Sequence, residues 1–220
     1  MKIGRLLRVC ILVAAAACVG AQTGCNDTKV QADADGKPLF NGRSLAGWKV
    51  LKEGYFDMPG KVHVKNGLIY LEAGHELTGI AWAGELPKTR YGISLEAMRV
   101  SGGDFFCGMT FPVGKGHCTL IMGGWAGTVV GISNIDGLAA VENETTQAVE
   151  FQNGQWYHIE LEVTPTRILV WLDGEELIEV TRVNERRFEV WPQMEPTRPF
   201  GLSSYATRAI YRNIRLTRLD

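Results

Sequence analysis

At 220 residues, 45% of them hydrophobic, the chain is long enough for one domain with a sizeable core. Its 23 basic and 24 acidic side chains nearly cancel, to a formal net charge of −1. That balance, with Lys and Arg interspersed, excludes a nucleic-acid footprint, and no nucleic acid is expected as a partner. In chain order, Met1 to Arg8 comes first and carries Lys2, Arg5 and Arg8 without an acid. Val9 to Gly20 is then an unbroken apolar or small run, too short to span a bilayer, which takes roughly 20 residues. Residues 1–24 therefore read as a signal peptide and the protein as exported, periplasmic or membrane-anchored. Two endings stay open. Val19-Gly20-Ala21 suits ordinary cleavage, whereas Thr23-Gly24-Cys25 resembles a lipoprotein box that would place a lipid anchor on Cys25.

Residues 25–37 are polar and read as a flexible linker. From Pro38 to Asp220 there is no second linker, so 38–220 is expected as a single domain. No stretch there shows helical three-four spacing; alternation with a period of two recurs instead. Val62–Val64 and Leu68–Glu72 flank Asn66-Gly67, and Ile168–Leu172 and Leu177–Val180 flank Asp173-Gly174, which predicts two tight hairpins. Further strands are predicted at Gly92–Val100, Phe105–Phe111, Thr119–Met122, Thr128–Ile132, Trp156–Val163, Phe200–Ser203 and Ile210–Leu216. The fold class is all-β, a two-sheet antiparallel sandwich. Trp48 and Trp156 are expected in its core. Cys107 and Cys118 flank a hairpin in a compartment that permits disulfides; a bridge and two buried thiols both remain open.

Several segments then look familiar together. Pro38-Leu39-Phe40-Asn41-Gly42-Arg43-Ser44-Leu45-Ala46-Gly47-Trp48 is similar to the opening of the 3-keto-disaccharide hydrolase family. The resemblance continues in Val64-Lys65-Asn66-Gly67-Leu68-Ile69, Tyr91-Gly92-Ile93-Ser94-Leu95-Glu96, Gly154-Gln155-Trp156-Tyr157, Val170-Trp171-Leu172-Asp173-Gly174 and Arg212-Asn213-Ile214-Arg215-Leu216. It implies a concanavalin A-like jelly roll and a carbohydrate or glycoconjugate ligand. It also implies a hydrolase or lyase that cleaves glycosides oxidised to a 3-keto form. In the middle the sequence departs from the family. An Asn-Ser-Gly segment is replaced by Gly103-Asp104-Phe105, and the family's Glu and Gln on the next strand are replaced by Cys118 and Leu120.

The chemistry needs a base for the proton beside the ketone and an acid for the leaving oxygen. The best local cluster of candidates, Asn134 to Thr146, offers Asp136, Glu142, Asn143 and Glu144. On a strand, Glu142 and Glu144 would share a face about 7 Å apart, within the range of acid-base glycoside cleavage. The same oxygens could hold a divalent metal such as calcium. His117 is the candidate base nearest the replaced positions, so the catalytic candidates are His117, Glu142 and Glu144. Asp104, Trp125, Asp136 and Asn143 are the ligand-binding candidates. The alternative is a non-catalytic carbohydrate-binding or structural envelope lipoprotein.

Overall fold

The computed structural model describes residues 36–220; the expected signal peptide, the lipidation candidate Cys25 and most of the expected linker lie outside the described residues. The strands are β1 (Lys37–Pro38), β2 (Trp48–Val50), β3 (Val62–Lys65), β4 (Leu68–Leu71) and β5 (Leu77–Trp82). Then come β6 (Tyr91–Ser101), β7 (Cys107–Val113), β8 (Gly116–Gly124), β9 (Val129–Ser133) and β10 (Gln147–Ala148). The last are β11 (Trp156–Val163), β12 (Arg167–Leu172), β13 (Glu175–Thr181), β14 (Gly201–Tyr205) and β15 (Arg208–Arg218). They form two antiparallel sheets. The back sheet runs β13-β12-β11-β6-β15-β4-β3 with β1 against β15, and the front sheet runs β10-β9-β8-β7-β14-β5-β2.

The two predicted hairpin turns are present. Asn66 and Gly67 have φ of 52° and 77°, and Asp173 and Gly174 have 50° and 85°, the left-handed pair that matches strand twist. β1 pairs Lys37 with Leu216, so sheet structure begins just inside the stretch expected as linker.

Alternation builds the core. Ile93, Leu95, Ala97, Tyr157, Ile159, Leu161 and Tyr211 of the back sheet meet Met109, Phe111, Leu120, Met122, Val130 and Ile132 of the front sheet. Trp48 is core as expected, at 8% exposure, with its indole N–H donating to the Leu39 carbonyl at 2.9 Å. Trp156 is not. It is half-buried on the opposite face of β11 from Tyr157 and lies 4.1 Å beneath the Arg212 guanidinium. The alternation places only one of two neighbours in the core, and Tyr157 takes that place. Cys107 and Cys118 are buried free thiols. Cys107 pairs with Met122 and Cys118 with Phe111, an offset of four residues and about 13 Å along the strand, beyond the reach of a disulfide.

Two buried tyrosines cross the sandwich. Tyr91 of β6 donates its hydroxyl to the Pro112 carbonyl at 2.5 Å, and Tyr211 of β15 donates to the Phe106 carbonyl at 2.5 Å. Burial raises both phenols well above the ordinary 10.0. The folded protein therefore keeps these protons more tightly than the unfolded chain. The stability they confer is full below pH 10.0 and declines as the pH climbs past that value. Tyr91→Phe and Tyr211→Phe should each cost about 1–2 kcal/mol in urea denaturation, by stranding a carbonyl, and should blunt the alkaline loss.

Candidate functional site

The outer face of the front sheet is not solvated. All seven residues of β7 are buried, because Leu51, Phe56, Ala140, Val190 and Met194 from connecting segments close over Leu77, Ala81, Phe105 and Ile121. Gly131 lets one cover segment lie flat: a Cβ there would come 2.8 Å from the Ala140 carbonyl oxygen. The cover leaves a cavity of about 380 Å³ lined by Asp104, Phe105, Thr119, Ile121, Trp125, Ser133, Asn134, Ala139, Trp191, Met194 and Tyr205.

Strand register sorts that lining. Thr110 pairs with Thr119, and Thr119 with Ser133, which makes one polar row. The next row along the same face holds Gly108, Ile121 and Gly131. Thr119, Thr110 and Thr197 share a chain of hydroxyl contacts of 2.8 and 2.6 Å. Asp104 precedes β7; its Oδ1 accepts from the Phe105 amide at 2.7 Å.

Trp125 stands on the loop between β8 and β9, 44% exposed. Trp125 and Ala126 both have left-handed backbone, φ 47° and 67°, a conformation that persists in side-chain-bearing residues only when the surroundings impose it. Arg99 is part of that surrounding. At 8% exposure it ends the inward row of β6, and its guanidinium donates to the carbonyls of Gly127 and Phe151 and to Asn153 Oδ1 at 3.3, 2.6 and 2.7 Å. The latch binds the Trp125 loop to the opposite sheet.

Asp104 and Trp125 are thus brought together in the cavity, and the other candidates are not among its lining residues. His117 is half-buried on the same sheet face as Thr119, about 7 Å along the strand from it. Its imidazole is held below 6.5, chiefly by burial and then by Arg198, and Nδ1 has no hydrogen-bond partner. Sequence reasoning missed Phe105, Thr119, Ile121, Ser133, Asn134, Trp191, Met194 and Tyr205 as lining residues. A tryptophan directly before Pro192 was the one local signal, since no predicted strand claims it.

A family model described as the 3-keto-alpha-glucoside-1,2-lyase-like domain matches residues 35–217. The chain belongs to the 3-keto-alpha-glucoside-1,2-lyase-like family. Membership places it among carbohydrate-active proteins. No curated protein sequence matches it. Among solved structures, it is similar to one described with the endo-acting O-glycanases that human gut microbiota express to initiate mucin breakdown. The identity there is 15%, over 84% of this chain and 97% of that one, with a TM-score of 0.54. The Crh5 transglycosylase in complex with NAG aligns at 11% identity over 81% of each chain, TM-score 0.54. The endo-beta-1,3(4)-glucanase SCLam of family GH16 aligns at 13% over 84% and 87%, TM-score 0.52. These likenesses bear on the fold, a jelly-roll-like sandwich.

Within this 3-keto-alpha-glucoside-1,2-lyase-like domain, the positions read as replaced polar residues, Cys118 and Leu120, point into the core at 0% exposure. Polar side chains there would face away from the cavity. The residues of β8 that face outward are His117, Thr119 and Ile121.

The acidic segment is built for architecture. Glu142 and Glu144 lie in turns, so the strand that would set them on one face does not form. Glu142 Oε2 accepts from the Ala139 amide at 3.1 Å. Asn143 is 8% exposed; it donates to the Ile132 carbonyl at 2.8 Å and accepts from the Thr145 amide at 2.9 Å. Asp136 and Glu144 both grip Arg186, at 2.5 and 2.6 Å. One oxygen of each carboxylate is taken by the Arg186 guanidinium, and the other Asp136 oxygen accepts from the Arg187 amide at 2.8 Å. Among the described residues no group of three or more His, Cys, Asp or Glu side chains could hold a metal ion.

The backbone N–H of Arg187 holds the Asp136 carboxyl below 3.8, with the Arg186 side chain next, and the Arg186 side chain holds Glu144 below 4.5. Their contribution to stability is therefore present above those ordinary values and is lost as the pH falls through the lowered folded ones. Arg186→Met should lower the thermal midpoint near neutral pH and flatten its acid dependence, seen as convergence of the variant and parent profiles toward pH 3 in a series of melts (~pH 7 down to ~pH 3).

Proposed function

We propose that the protein binds a glycoside in the cavity on the front sheet and, where the sugar is oxidised at C3, breaks the glycosidic bond by elimination. The observation that carries this reading is one carboxylate, Asp104, set in one cavity with two exposed tryptophan rings, Trp125 and Trp191. Aromatic faces suit the apolar faces of sugar rings, and a few placed polar groups set orientation.

The number of acids favours elimination over direct hydrolysis. Glycosidases use two carboxyl groups that flank the bond, and the cavity lining holds one. With a ketone at C3, one carboxyl group can serve twice, as base for the acidified C2 proton and then as acid for the leaving oxygen. Asp104 takes that proton, the freed electron pair forms the C1–C2 double bond, the C1–O bond breaks, and the leaving oxygen receives the proton back from Asp104 through a water, which restores the carboxylate. Ser133 donates to Asn134 Oδ1 at 2.5 Å, which leaves the Asn134 amide nitrogen as a donor to polarise the ketone.

Binding without cleavage is the second reading, and the apolar weight of the lining, with Phe105, Ile121, Met194 and Tyr205, favours it. Export belongs to the proposal too, on the strength of the basic start and the apolar run Val9 to Gly20.

Titration with a 3-keto glucoside separates these readings. Trp125→Ala should weaken binding about tenfold, as loss of one aromatic contact. Asp104→Asn should keep the affinity and lower turnover about 10²–10⁴-fold. Full turnover in Asp104→Asn would remove the base from this cavity, and binding by the parent protein without turnover would leave the second reading.

Intact-mass measurement on protein recovered from the cell envelope should find an N-terminus at Gln22 or a lipidated Cys25. An uncleaved chain in the cytoplasm would refute export.

A further inference from the structure

Two exposed aromatic rings meet at the edge of the cavity. Trp191 lines the cavity and is 36% exposed, and Tyr55 is 44% exposed. Their ring centroids lie 6.1 Å apart at 49°, so they form one continuous aromatic surface from the cavity mouth outward.

Neither ring hangs on a loose segment. Phe56, beside Tyr55, is fully buried. It packs so close to β5 that a Cβ on Gly79 would come 2.7 Å from its ring. On the other side Val190 and Met194 are buried, and the Met194 amide donates to the Trp191 carbonyl at 2.7 Å. An anchored pair of aromatic side chains held in water beside a cavity marks a ligand surface.

The cavity itself is divided. Thr119, Ser133 and Asn134 give hydrogen-bonding groups, as do Asp104 and Tyr205, whereas Phe105, Ile121 and Met194 give none and Trp191 offers only its indole N–H beside a broad ring face. Such a lining complements a ligand that is polar at one end and flat and apolar at the other. A second sugar ring could also lay its apolar face on these rings, whereas a flat aromatic ring brings no hydroxyls that would be left without partners there.

We infer that Trp191 and Tyr55 form an aglycone shelf, so that the preferred ligands are glycosides of aromatic alcohols. The inference rests on the sugar reading of the cavity given above. The sugar sits over the polar row, and the aromatic aglycone stacks on Trp191 and Tyr55 as it leaves the cavity mouth.

The test is calorimetric titration of the full chain with the 3-keto forms of methyl α-glucoside, phenyl α-glucoside and maltose. The phenyl compound should bind about five- to tenfold tighter than the methyl one, the gain of one aromatic stack. Tyr55→Ala, an exposed substitution that spares the fold, should remove most of that gain and leave the methyl compound's affinity unchanged. Equal affinity for methyl and phenyl compounds, or a phenyl advantage that survives Tyr55→Ala, overturns the shelf while the sugar reading stands. A maltose affinity that matches the phenyl compound's and falls equally in Tyr55→Ala assigns the shelf to a second sugar and overturns the aromatic assignment. Failure of all three compounds to bind overturns both readings.

Discussion

The hydroxyls of Tyr91 and Tyr211 reach from the back sheet to the backbone of the front sheet, and they hold it at Pro112 and Phe106. These two points bracket β7. A sandwich held by apolar contact alone tolerates sliding of one sheet over the other, since such contact is non-directional. A buried hydroxyl that would otherwise lack a partner does not tolerate it. β7 is thus fixed in both position and register. The residues that depend on it, Asp104 and Phe105 before it and the Thr110–Thr119 pair within the hairpin, inherit that placement.

From this fixed strand the site spreads sideways by pairing and outward by covering. β8 and β9 extend the polar row to Ser133, and the connecting segments then close over the face. The acidic segment is one of the closing pieces. Asn134 and Glu189 exchange backbone hydrogen bonds of 2.7 and 3.2 Å, and the Asp136 amide donates to the Arg187 carbonyl at 2.8 Å. Asp136, Glu144 and Arg186 finish the tie with charge. Carboxylates that a chemist would reach for first are used here to fasten one covering segment to its neighbour. The Arg99 latch does the same for the Trp125 loop, from the opposite sheet.

The fold was largely legible because strands carry their own period. Tyr157, Ile159, Leu161 and Val163 share one face of β11 in sequence and in space, and the two Xaa-Gly turns needed only local backbone chemistry. Trp156 was misread because residue size suggested burial where the period of two already excluded it. The site was far less legible. Its lining comes from segments as distant as Asp104, Asn134, Trp191 and Tyr205, joined only by strand pairing that no local pattern encodes. Asp104 and Trp125 were found; the acidic cluster drew attention by composition, and composition cannot tell a carboxylate that faces ligand from one that holds an arginine.

The floor of the site and its walls are made in different ways. Gly108, Gly131, Thr119 and Ser133 belong to the sheet and are locked by register, whereas Ala139, Trp191 and Trp125 ride on segments with their own fastenings. Exposed side chains on those segments are therefore uncoupled from the sandwich: a change at Trp125 or Trp191 reshapes the recess without moving a strand side chain, whereas Ala140, buried against Gly131, is part of the cover's fixed packing. Diversification of what this scaffold accepts falls on its walls, at little cost to folding, and the strand beneath stays constant.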